Sequence, residues 1–135
     1  NPICAVRVEP ELKAVALSWK GYATMRQLKF VHELCLELMR DQDLDAILGD
    51  DTHLPTIHVQ DRRWIVEDWH PRARAAGLRW ISTKRSEHHF GQVAAHDVHS
   101  QAPGDLEIAA FETLAAARAW LSAQRRTETT GLTRD

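Results

Sequence analysis

Asp50, Asp51 and Thr52 stand just beyond the short apolar run DAILG, Asp45 to Gly49, and bring two carboxyl groups and a hydroxyl together. Adjacent carboxylates can shift one another's pKa or hold a cation. The same residue types also end strands and close turns, because their short side chains hydrogen-bond the nearby backbone. The segment continues through Thr56 and His58 to Trp64. Asp50, Asp51, Thr52, Thr56, His58 and Trp64 therefore form the candidate interaction loop.

Other residues with chemical potential are more scattered. Among the eight histidines, His89, His96 and His99 fall at i, i+7, i+10, which places them on one side of a helix. No HExxH and no cysteine pair completes a metal set, so no metal and no cofactor are expected, and these are read as surface histidines of an amphipathic helix. Neither Cys4 nor Cys35 lies in a nucleophile motif, no serine occupies a GxSxG, and there is no Walker loop or GxGxxG. The expectation is a domain without catalytic residues. The five tryptophans could line an apolar pocket, but indoles more often build the core. Arg62, Arg63, Arg72, Arg74 and Arg79 could recognise an anion; interspersed with Asp61, Glu67 and Asp68, they read as solvated ion pairs.

The elements that must hold these groups follow from periodicity. Ile3 to Val8 is strand-like, and KAVALSWK (Lys13 to Lys20) is a second strand across the Pro10-Glu11 break, which predicts a hairpin. Thr24 and Gln27 make a capping box ahead of Met25, Leu28, Val31, Leu34, Cys35, Leu38 and Met39, an apolar face at helical spacing. DAILG is a short central strand. From Val59, the positions Trp64, Ile65, Trp69, Ala73 and Ala76 return to helical spacing, with Pro71 set to kink the helix and Gly77 to end it. LRWIST (Leu78 to Thr83) is a strand. Ser86 is placed to cap a helix carrying Phe90, Val93, Ala94 and Val98. LEIAAF (Leu106 to Phe111) is the last strand, and Thr113 caps a helix whose Leu114, Ala117, Trp120 and Leu121 face inward.

The order ββαβαβαβα predicts an α/β domain: a five-stranded, mostly parallel open sheet with an N-terminal hairpin, flanked by four helices. One domain over residues 1–122 is expected, with 123–135 a polar, disordered tail. Composition agrees with a single globular core, since 44% of residues are apolar and 27% charged. The formal charge of -2 leaves no basic excess to neutralise a phosphate backbone, so nucleic acid is not the expected partner. Apolar runs fall far short of the ~20 residues of a membrane span. The start NPICAVRVEP has neither a basic nor an apolar leader region, and the two cysteines read as small buried hydrophobes. A cytoplasmic protein is expected.

The same order, with the segments LSWKGYAT (Leu17 to Thr24), WIVEDWHPRARAAGLRWIS (Trp64 to Ser82) and HFGQV (His89 to Val93), resembles small bacterial STAS-like or SpoIIAA-like domains, related in fold to CRAL-TRIO domains. The likeness spans about Ile3 to Ser122. It implies a non-catalytic regulatory domain contacting another protein in bacterial signalling, with an apolar small molecule or lipid as the alternative partner and a homodimer compatible with either. In anti-sigma factor antagonists of that class a serine or threonine after the third strand is phosphorylated. Here DDTHLPTIHVQDRRW lacks the Asp-Ser-x-Gly-like context, and Thr52 and Thr56 do not have its spacing.

Overall fold

The computed structural model describes residues 3–134. Strand β1 (Cys4–Glu9) pairs antiparallel with β2 (Ala14–Trp19) across a single 3-10 turn, Pro10–Leu12. Strands β3 (Ala46–Asp50), β4 (Trp80–Lys84) and β5 (Glu107–Phe111) then add in parallel, giving the sheet order β1-β2-β3-β4-β5. The sequence-predicted hairpin and mostly parallel sheet are both observed. Ile47, Ile81 and Ile108 sit side by side in register, as the alternation of strands and helices predicts.

Because each parallel strand lies one step further in the same direction, right-handed crossovers all fall on one face. That face carries α1 (Met25–Gln42), the rod formed by α2 (Val59–Trp64) and α3 (His70–Ala75), and α4 (His89–Ser100). Its core joins Val15, Leu17, Ile47 and Ile81 from the sheet to Leu28, Val31, Cys35, Trp69 and Val98 from the helices. The opposite face is covered by α5 (Leu114–Arg134), where Ala14, Ala16, Ala46, Leu48 and Trp80 meet Ala117 and Leu121. Strand period two accounts for the division: Ala46 and Leu48 face α5 while Ile47 faces the crossover helices.

Local signals explain the helix ends. Thr24 accepts from the Gln27 backbone N–H at 3.2 Å while the Gln27 side chain accepts from the Thr24 N–H at 2.9 Å, the predicted capping box. Thr113 accepts from the Ala116 N–H. Gly77 takes the left-handed conformation (φ +109) that ends α3. Pro71 lacks the N–H a regular helix would use; the predicted kink is resolved as a π-helical turn, Ile65–Trp69, in which the His70 N–H reaches back to the Ile65 carbonyl.

Two expectations are corrected. Ser86 is not the cap of α4; it is buried, donates to the Leu54 carbonyl at 2.7 Å and accepts from the His88 N–H, tying the loop after β3 to the loop after β4. The tail expected from residue 123 instead continues α5 to Arg134. Arg125 holds that extension in place, chelating the Asp45 carboxylate and lying 4.9 Å from the Trp80 ring centre. Among the described residues no helix is long and apolar enough to cross a membrane.

Candidate functional site

The carboxyl ends of β2, β3 and β4 do not meet the crossover helices tightly. Between Leu17, Trp19, Leu28, Ile81 and Trp69 they leave an inner cavity of about 90 Å³. A second, outer lobe of about 250 Å³ lies beside it, reaching Arg85, Ser86, Gln92 and His96. Asp51, Thr83, Ala95 and His99 line both lobes and form their junction. This is the edge of a parallel sheet where open α/β folds place ligands, because helix N-termini and strand ends diverge there.

Asp51 reaches the junction because its neighbours close the turn. Asp50 Oδ1 accepts from both the Thr52 N–H (3.1 Å) and the Thr52 hydroxyl (2.5 Å). The Asp51 backbone donates to the Lys84 carbonyl and accepts from the Leu54 N–H. Its carboxyl is left buried, and none of the described residues donates a hydrogen bond to it. Burial pushes this carboxyl up to about 7, the Asp50 charge adds to the rise, and Lys84 opposes it. A buried acid without donors prefers its neutral form.

Three imidazoles share the cavity wall. His32 Nδ1–H donates to the Leu28 carbonyl at 2.8 Å, which fixes the tautomer and leaves Nε2 as an acceptor. His70 is 1% exposed, and its Nδ1 has no hydrogen-bond partner among the described residues. His99 enters from α4. Burial lowers all three to about 4; for His70 the neighbouring His32 and His99 add to the effect, and for His99 His96 does. All three are neutral at pH 7. His32 and Trp69 pack edge to face at 4.9 Å, and the Trp69 indole N–H donates to the His32 carbonyl, fixing the wall. The Cys35 thiol is pushed up to about 12 and that of Cys4 to about 11, in both cases mainly by burial. Neither is a thiolate nucleophile at neutral pH.

The residues singled out in the sequence disperse. Asp50 and Thr52 bond each other, and Asp51 turns inward. His58 caps α2 through Nδ1, accepting from the Gln60 N–H at 3.2 Å, and Thr56 is half-buried in the loop between. Trp64 lies apart from that loop, edge to face with His32 at 5.9 Å and beneath Lys29 and Arg72. His89 and His96 are exposed, whereas His99, expected at the surface, faces the cavity. Among the described residues no group of three or more His, Cys, Asp or Glu is arranged to hold a metal ion. Trp69, Trp19 and Trp80 are buried, so the tryptophans do build core, yet Trp19 and Trp69 also wall the cavity.

His32 and His70 were missed by sequence reasoning. A signal for His32 existed: it falls in the stripe Leu28-His32-Cys35-Met39, an imidazole on an apolar face. His70 had none, because its inward position depends on the π-helical turn. No family model matches the chain, and no curated relative does.

Proposed function

We propose that this chain is a small-molecule-binding domain whose ligand seats in the two-lobed cavity at the carboxyl edge of β2, β3 and β4. The observation that carries this reading is His70: a fully buried imidazole whose Nδ1 lacks a partner, on the wall of an apolar cavity. An unmade buried hydrogen bond costs about 1–3 kcal/mol, a loss that a ligand group or a bridging water removes. An apolar lining with a few convergent polar groups is the usual character of such sites. Catalysis is not favoured, since both thiols are held protonated and the Ser86 hydroxyl is engaged by Leu54.

The test is a ligand-observed NMR screen of small amphiphiles against the wild type and Cys35→Leu, which fills the inner lobe from α1. Hits are expected on the wild type and should be lost in the variant. Hits that survive the filled cavity, or a screen with none, would overturn the reading.

A second reading has its own observation. Val59, Phe90 and Val93 are 60%, 70% and 44% exposed near the N-terminal ends of α2 and α4. Exposed apolar groups of this size support the regulatory protein contact that the STAS-like resemblance implies. Phe90→Ser with Val59→Ser should then reduce capture of a partner while leaving the small-molecule hits in place.

A further inference from the structure

The chemistry of the cavity wall restricts what the ligand can be. We propose, building on the small-molecule reading above, that the site takes a small primary alkylammonium ion, its alkyl tail in the inner lobe and its charge against Asp51 at the junction.

Size sets the tail. An engineered cavity of ~150 Å³ holds benzene, so about 90 Å³ suits a chain of roughly four carbons. Leu17, Leu28, Ile47 and Ile81 with Trp19 and Trp69 give that chain an apolar wall.

Polarity sets the head. The inner lobe has no lysine or arginine on its wall, and Asp51 is its one acid. The remaining nitrogen groups are neutral imidazoles, of which His32 presents an acceptor nitrogen and His70 an unpaired one. A wall rich in acceptors and free of fixed positive charge complements a group with several N–H donors and one positive charge. At the junction the Asp51 carboxylate, the Thr83 hydroxyl and a His99 nitrogen can receive the three ammonium protons. Pairing the two charges there satisfies a carboxylate that is otherwise buried without a donor.

The charged and titratable groups facing Asp51 from other elements do not take this role. Lys84 on β4 lies within reach of Glu87, at 3.6 Å, and Arg85 is paired with Glu112. Asp50 carries the same charge and is bonded to Thr52. Cys4 on β1 and Cys35 on α1 stay protonated, and His32, His70 and His99, on α1, α3 and α4, stay neutral above about pH 4. His96, on the outer lobe, is exposed.

Binding the cation requires Asp51 to give up its proton. Because its carboxyl titrates near 7 in the free protein, affinity falls as the pH drops below that value, about tenfold for each further pH unit. The histidines add nothing to this slope until about pH 4.

Titration calorimetry with butylammonium chloride, butan-1-ol and sodium butanoate tests the assignment. Butylammonium should bind at least tenfold tighter than the other two at pH 7.5. At pH 6 it should release close to one proton per ligand, measured in two buffers of different ionisation enthalpy, while butan-1-ol releases none. Asp51→Asn should bring butylammonium down to the affinity of butan-1-ol, and the wild-type pH dependence decides the matter if that variant does not fold. Butanoate binding tightest, or amine and alcohol binding alike in the wild type, overturns the charge assignment and leaves the ligand site standing. No binding by any of the three overturns both.

Discussion

The two faces of one sheet are built on opposite principles. Against α5 the strands present Ala14, Ala16 and Ala46, and Ala117 answers them with an equally small side chain, so helix and sheet close up. The polar groups there are matched: the buried Ser82 hydroxyl donates to the Ala117 carbonyl, Glu9 is chelated by Arg118, and Asp45 by Arg125. Against α1, α3 and α4 the same strands meet bulky side chains that do not interdigitate fully, and a cavity remains. Of its polar groups, His70 Nδ1 is buried without a hydrogen-bond partner among the described residues and the Asp51 carboxyl lines the cavity. Dense packing with satisfied groups makes a scaffold; a gap with unsatisfied groups is a place where something else can bind.

The largest expected difference between the faces is in pH dependence. The Asp51 carboxyl is raised in the folded chain, so its contribution to stability is complete below its ordinary value of 3.8 and is lost as the pH rises through about 7. His32, His70 and His99 run the other way: lowered to about 4, they support folding above 6.5 and withdraw that support as the pH falls. Asp51→Asn removes only the first effect. Between pH 4 and pH 8 the variant should gain on the wild type by an amount on the order of 4 kcal/mol, read from urea unfolding at each pH. A constant offset would show that the acid is not buried in its cavity.

Next in size is the seam where α4 closes the cavity. A Cβ at Gly91 would collide with the Leu54 carbonyl and the Ser86 hydroxyl, so Gly91→Ala must push α4 away from the loop after β3. A loss of about 3 kcal/mol is expected, together with weaker ligand binding because His99 and Ala95 move with the helix. Wild-type affinity in this variant would show that α4 does not form the cavity wall.

Enlarging a side chain on each face contrasts them directly. Ala117→Leu should cost about 1–3 kcal/mol, since no space receives the added carbons. Cys35→Leu places its extra volume in the inner lobe and should be neutral or stabilising. Equal losses in thermal unfolding would mean that the cavity is not available to side chains.

Much of this contrast was legible in the sequence. The apolar strand runs AVALSW and AILGD, the capping box at Thr24 and the glycine stop at Gly77 are local signals, and the sheet, the hairpin, the start of α1 and the end of α3 follow from them. The site was legible in part. Asp51 was marked by standing after a central strand, but its inward turn depends on Asp50 and Thr52 satisfying each other, a three-residue geometry that composition does not encode. His70 and Ser86 depend on long-range events, the π-helical turn before Pro71 and the approach of two loops. Arg125 escaped because a polar stretch without apolar period gives no sign of a distant carboxylate waiting for it.

The smallest effect compares one buried polar group from each face. The Ser82 hydroxyl makes a 2.9 Å hydrogen bond to the Ala117 carbonyl in a fully buried setting. Ser82→Ala removes that bond and leaves the carbonyl without it, which should cost about 1 kcal/mol. His70 is as deeply buried, but its Nδ1 forfeits no partner when it is replaced. In His70→Phe an aromatic ring of similar shape keeps the packing against Trp69 and removes the cost of an unsatisfied nitrogen, so stability should rise by about 1 kcal/mol. Guanidinium unfolding of the two variants measures both numbers. A substantial loss for His70→Phe beside a negligible one for Ser82→Ala would reverse the contrast: the imidazole would then hold a structural bond, and the cavity would be part of the scaffold.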